Sequence, residues 1–383
     1  MQRAGERGRE NVNVKGAVLG LIAAGPALAA AEPQIVKHVE VYREAGRFAG
    51  WPANHGAWSW GDEILVGFEL GHFRSSDTGH AIDYEKPAEH VLARSRDGGE
   101  TWSLERPPGL QPPAGERIAG VPTAGTGREL RDAPGGIDFT HPGFALTARM
   151  TDIHAGQSRF YYSLDRGASW EGPFRIPDFG QPGTAARTDY LVNGEHDLTL
   201  LLTVAKSDGR EGRVICARSR DGGKSWTREA FVTPEPEGRE YAIMPSSVRL
   251  DDGAILTAVR YRPFIDAYLS QDEGESWERL SRPAPKTGGN PPSLVKLHDG
   301  RLVLTYGYRE PPFGIRAVLS ADQGRSWSEP FVLRDDGGSW DLGYTRTAQR
   351  PDGKLVTVYY YNLGEDSERF IAGTIWDPGS PAD

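Results

Sequence analysis

The chain has 383 residues, with 38% hydrophobic side chains, 48 Gly, 28 Pro and a formal net charge of −9. That charge argues against nucleic acid or an acidic membrane surface as a partner, and the single cysteine, Cys216, excludes an internal disulfide. Abundant Gly and Pro without a stretch of helical periodicity indicate many short strands, an all-β protein.

At the N-terminus Arg3, Arg7, Arg9 and Lys15 precede an apolar run, Ala17 to Ala31, that Pro26 interrupts and small residues end. This is the pattern of an export signal cleaved near residue 31, too short for a membrane span. Residues 32–383 are then expected as one domain in the periplasm or outside the cell, a setting in which the strand residue Cys216 would be a buried structural thiol. Next comes Gln34-Ile-Val-Lys-His-Val-Glu-Val-Tyr42, a strand with no hairpin of its own.

Five copies of Ser-x-Asp-x-Gly-x-x-Trp follow, at Ser95–Trp102, Ser163–Trp170, Ser219–Trp226, Ser270–Trp277 and Ser320–Trp327. Their serines stand 68, 56, 51 and 50 residues apart. Each box reads as a turn in which Ser and Asp bond the backbone, Gly takes a positive φ and Trp packs between sheets. A readable strand precedes every box, so each box should join the third and fourth strands of a propeller blade. Asp-Gly hairpins precede the later boxes, as in Ser247–Thr257 and Ser293–Leu304, and one more, Thr347–Tyr359, follows the last. With Arg369–Trp376 it makes a sixth blade short of its outer strand, which Gln34–Tyr42 supplies. The expected fold is a six-bladed β-propeller closed by its N-terminal strand, with no edge left open.

The boxes resemble the Asp boxes of the sialidase (neuraminidase) superfamily, and the resemblance covers the whole chain after the signal. It implies a tyrosine nucleophile, a first-blade aspartate as acid/base, and arginines that bind a substrate carboxylate. Gly343-Tyr344-Thr345 matches the nucleophile's setting, and Arg260 and Arg316 match two of the three arginines. Two positions depart. Gly50-Trp51-Pro52 stands where the family has Arg-Ile-Pro, and Met244 stands where it has the glutamate that supports the tyrosine, with Glu240 the nearest substitute.

Innermost strands and their loops converge on the axis, so further candidates are read from those segments. In the first blade Trp51 and His55 precede a loop that carries Asp77, His80 and Asp83; Asp77 and Asp83 are candidates for the acid/base or plain solvated loop carboxylates. Asp138 and His141 open the second blade, and Arg187 and Asp189 open the third. His141 is as suited to capping a turn before Pro142, and Arg187 and Asp189 to pairing with each other. No spacing of His and carboxylates matches a compact metal motif, and no cofactor is expected.

The resulting expectation is an exported exo-acting glycoside hydrolase that removes a terminal acidic sugar from a glycan. The alternatives are a propeller polysaccharide lyase using His141, Arg187 and Tyr344 on uronates, and a non-catalytic carbohydrate-binding propeller with Trp51, Trp58 and Trp340 as stacking platforms.

Overall fold

The computed structural model describes residues 31–380, so most of the expected export signal lies outside the described residues. Residues Pro33–Pro378 form one compact unit, built from six antiparallel sheets in a β-propeller. The last sheet orders Gln34–Tyr42, Phe370–Asp377, Leu355–Tyr361 and Gly343–Gln349 from rim to axis. The N-terminal strand thus closes the ring, pairing Gln34 with Asp377 and Tyr42 with Ile371.

Alternation along the strands dictates how blades pack. On the second strand of the third blade, Leu198, Leu200 and Leu202 join the apolar cluster shared with the second blade, while Leu201 points into the one shared with the fourth. The six apolar clusters among the described residues correspond to the six blade–blade interfaces. Cys216 lies fully buried in one of them. Near the axis a belt of hydroxyls takes over from carbon: Thr305 bonds Thr347 at 2.8 Å, Thr347 bonds Thr357 at 3.0 Å, and Ser246 Oγ accepts Leu294 N–H at 2.9 Å. Neighbouring inner strands are joined in this way by short hydroxyl side chains that satisfy one another.

Four of the boxes join the third and fourth strands of a blade. The second blade differs, with only three strands, Ala145–Met150, Ser158–Ser163 and Glu171–Arg175. The segment expected to be its innermost strand forms none. Gly136 and Ile137 instead donate to Asp221 O and Gly222 O in the box of the third blade.

Candidate functional site

Tyr344 begins the inner strand of the sixth blade in a left-handed conformation, φ 51°. Such a backbone costs a non-glycine residue on the order of 1–3 kcal/mol and persists only where neighbours enforce it. The neighbour is fully buried Asn290, whose amide donates to Leu342 O at 2.8 Å and accepts Tyr344 N–H at 2.9 Å. Gly343 must be glycine, because a Cβ there would stand 2.4 Å from the Asn290 amide nitrogen. Trp51 and Met244, at the mouths of the first and fourth blades, share this conformation with φ of 58° and 52°.

Arginines surround the phenol. Arg260, at the end of its strand, donates to Tyr344 Oη at 3.1 Å and to Tyr241 Oη at 3.2 Å. Arg309 lies over the rings of Trp340 and Tyr344, at 5.2 and 5.4 Å, and donates to Tyr360 Oη at 2.9 Å. Arg187 is paired with Glu211 and also donates to Ala185 O. Burial alone would raise the Tyr344 pKa; the charges of Arg260, Arg309 and Arg187 outweigh it and hold the phenol below its usual 10. Where the resemblance places a supporting glutamate, Met244 Sδ sits 3.2 Å from Arg260 Nη1.

Opposite Tyr344 stands His80, from the first-blade loop. Its Nδ1 is 2.5 Å from Asp341 Oδ1, and its ring lies 6.5 Å from that of Tyr344, edge-on to Tyr344 and Trp51 and tilted against Trp340. Asp341 is fully buried, accepting from Tyr360 Oη at 2.8 Å, Ala81 N at 3.0 Å and Arg369 Nε at 2.9 Å. Burial would raise its pKa, but His80 and Arg369 pull it well below the carboxylate range. An ionised Asp341 fixes the His80 ring through Nδ1, leaving Nε2 for proton transfer. Tyr344, His80, Arg260 and Arg187 line one cleft of about 250 Å³, room for about one sugar ring. Tyr84, Ala119, Met150 and Ile153 give it an apolar wall.

Of the residues singled out from sequence, Tyr344, Arg260, Arg187, Trp51 and His80 come together here, with Trp340 against His80. The others do not. Arg316 donates to Ile315 O, Pro312 O and Arg334 O inside the fifth blade. Asp77 is exposed, and Asp83 accepts Glu85 N–H between Arg74 and Lys86. Asp138 caps Thr140, and His141 Nδ1 accepts Gly143 N–H, in the segment that leans on the third-blade box. Third strands begin at the cleft and end at the boxes, so both residues lie at the opposite end of the ring. Asp189 does not pair with Arg187: it accepts from Ser247 N and Oγ below the cleft. His55 lies in a separate chamber. Exposed Glu240 faces Arg262 and does not replace the missing glutamate. Trp58 is buried against Trp170 and offers no stacking platform.

The reading from sequence missed Arg309, Asp341 and Glu211. Arg309 had a signal, since it follows the second strand of the fifth blade much as Arg260 ends that of the fourth. Among the described residues no group of three or more His, Cys, Asp or Glu is arranged to hold a metal ion.

The ring and this cleft at its axis define a sialidase-like BNR propeller. Residues 144–357 match the BNR repeat-like domain, and residues 93–104 match the BNR/Asp-box repeat. The chain belongs to the BNR repeat-like domain family. No curated protein matches it. A Dyadobacter fermentans protein of unknown function superposes with a TM-score of 0.68 at 21% identity, covering 90% of this chain and 99% of that one. An α-L-arabinanase of Penicillium chrysogenum, complexed with arabinobiose, gives 0.56 at 15% over 90% and 99%. The NanB sialidase of Streptococcus pneumoniae gives 0.56 at 15% over 88% and 70%.

Proposed function

We propose that this chain is an exo-acting glycoside hydrolase that removes a terminal acidic sugar, with Tyr344 as nucleophile and His80 as acid/base. The observation that carries the reading is the lowered Tyr344 phenol, ringed by arginines and facing the His80–Asp341 pair across a cleft of one-sugar size. Arg260 has no carboxylate partner of its own, which suits it to a substrate carboxylate; Arg309, whose nitrogens donate to Leu342 O, Gly289 O and Tyr360 Oη, contributes its charge to the phenol. The phenolate attacks the anomeric carbon while His80 gives its proton to the leaving oxygen. His80 then takes a proton from a water that displaces Tyr344, so the configuration is retained. Retention through tyrosine is a recognised exception to the two-carboxylate rule. Solved structures of an arabinanase and a sialidase on the same fold support a glycosidase, at identities that carry the fold alone. Export through the N-terminal segment would place the enzyme where glycans are met.

One observation favours a second reading. With Met244 in the place of a carboxylate, Tyr344 is also suited to abstracting a proton from an arginine-neutralised uronate and so to a lyase reaction. Product analysis on glycans ending in acidic sugars separates the two. A released sugar of retained configuration, with a mass adduct on Tyr344 from a fluorinated substrate, is expected. Ultraviolet-absorbing unsaturated product would establish the lyase instead.

A further inference from the structure

Beside the cleft lies a small chamber of about 30 Å³ between the first two blades, lined by Trp51, Asn54, His55, Glu69, His90 and Arg149. All but Asn54 are at least nine-tenths buried. The imidazoles of His55 and His90 stand edge-on at 5.1 Å, with their Nε2 atoms 3.5 and 3.3 Å from Glu69 Oε2. In the hydroxyl belt polar groups are paired, and near the axis Arg187, Arg260 and Arg346 each leave only Nε buried without a partner. Here Trp51 Nε1, Asn54 Oδ1, His55 Nδ1, both ring nitrogens of His90, and Arg149 Nε and Nη2 are buried without a hydrogen-bond partner. Unmade bonds of this kind are expensive, so a set of seven on the residues lining one space indicates that something occupies it.

Charge and size say what. Burial pushes the Glu69 carboxyl up, but the two imidazoles pull it down further, so it is ionised. Burial lowers Arg149 only to about 10, so it stays charged at neutral pH. Burial, then Arg149, holds His55 well below 6.5 and therefore neutral. The opposite charges of Glu69 and Arg149 cancel, and the guanidinium next to His55 disfavours a metal cation. The unpaired atoms mix donors with acceptors, which suits a group that both gives and takes a hydrogen bond. The volume admits about one or two waters or a group of that size. Trp51, Asn54, Ala119 and Met150 line chamber and cleft alike, so the chamber adjoins the cleft across these residues.

We propose that the chamber is a subsite for a small, uncharged hydroxyl-bearing arm of the ligand in the cleft, and that water fills it otherwise. The inference rests on the cleft holding a sugar, and it narrows the substrate to one that carries such an arm beside its carboxylate. Crystals of the full chain soaked separately in ethylene glycol, sodium bromide and zinc chloride test it. The expected result is the diol in the chamber, one hydroxyl within hydrogen-bond distance of Asn54 Oδ1 or an Arg149 nitrogen. Asn54→Ala, and independently Trp51→Phe, should weaken its apparent affinity by about 10-fold. Bromide or zinc in the chamber, or water alone at diol concentrations that fill other surface sites, overturns the proposal. Diol binding needs no turnover, so failure of the glycosidase reading and failure of the subsite register separately.

Discussion

The two ends of the propeller are held in opposite ways. At the box end the serine and aspartate of each turn bond within the turn: Ser320 Oγ bonds Asp322, Gly324 N–H bonds Ser320 Oγ, and Ser326 N–H bonds Asp322, all within the eight residues of the box. At the cleft end partners come from far along the chain. Asn290 clamps Tyr344 from 54 residues away, Arg260 bonds it from 84, and His80 meets Asp341 across 261. The box end is a repeated local solution that builds the ring. The cleft end is assembled once, from partners that only the closed ring brings together; its left-handed residues Trp51, Met244 and Tyr344 stand at single places, whereas those of the boxes, Arg166, Glu273 and Gln323, recur at one position of the repeated turn.

This contrast predicts where substitutions hurt. The largest effect is expected for Tyr344→Phe, which should lower kcat by about 10⁴-fold or more while stability changes by no more than about 1–2 kcal/mol. Retained turnover on an aryl glycoside would remove Tyr344 from the chemistry. The lowered phenol adds a direction: the acidic limb of kcat/KM should lie below pH 10, and Arg260→Met should move it upward. His80→Ala comes next, with a loss of about 10²–10⁴-fold that is smaller for substrates whose leaving group needs no proton. An equal loss for good and poor leaving groups would reduce His80 to a positioning residue.

The same contrast explains what was legible in the sequence. Boxes, Asp-Gly hairpins and the closing strand are local patterns, so the six blades and their closure followed from spacing. Tyr344 and Arg260 were reachable because each has a fixed place in a strand. Arg316 was misplaced because a register position says which strand a residue ends, and not whether its guanidinium turns toward the axis or into carbonyls of its own blade. His141 and Asp138 failed with the assumption that the second blade has an inner strand. Asp341 was invisible because its meaning lies in His80, on the far side of the chain.

Below the cleft, Asp189 offers a smaller, measurable effect. Burial raises its pKa from 3.8 to about 6, so the native state keeps a proton that the unfolded chain releases at lower pH. Between about pH 4 and 6 the native state therefore binds more protons, and this residue's contribution to stability falls as pH rises. The cost is complete above the folded pKa, on the order of 3 kcal/mol. Asp189→Asn removes the titration, so its stability relative to the wild type should climb across that window in chemical unfolding. A constant difference would show that Asp189 titrates alike in both states.

The smallest effect belongs to the box end and is the sharpest test of the division. Asp322→Ala deletes the carboxylate that accepts from Ser320 Oγ, Ser326 N and Ser326 Oγ. The loss should be about 1–2 kcal/mol, because Ser320 Oγ still holds Gly324 N–H and the exposed Ser326 can turn to water. Because the box closes on itself, none of that loss should reach the cleft: kcat/KM measured well below the melting temperature should equal the wild-type value. A fall in kcat/KM without unfolding would mean that the fifth blade transmits strain along its strands to Arg309, and that the two ends are mechanically one.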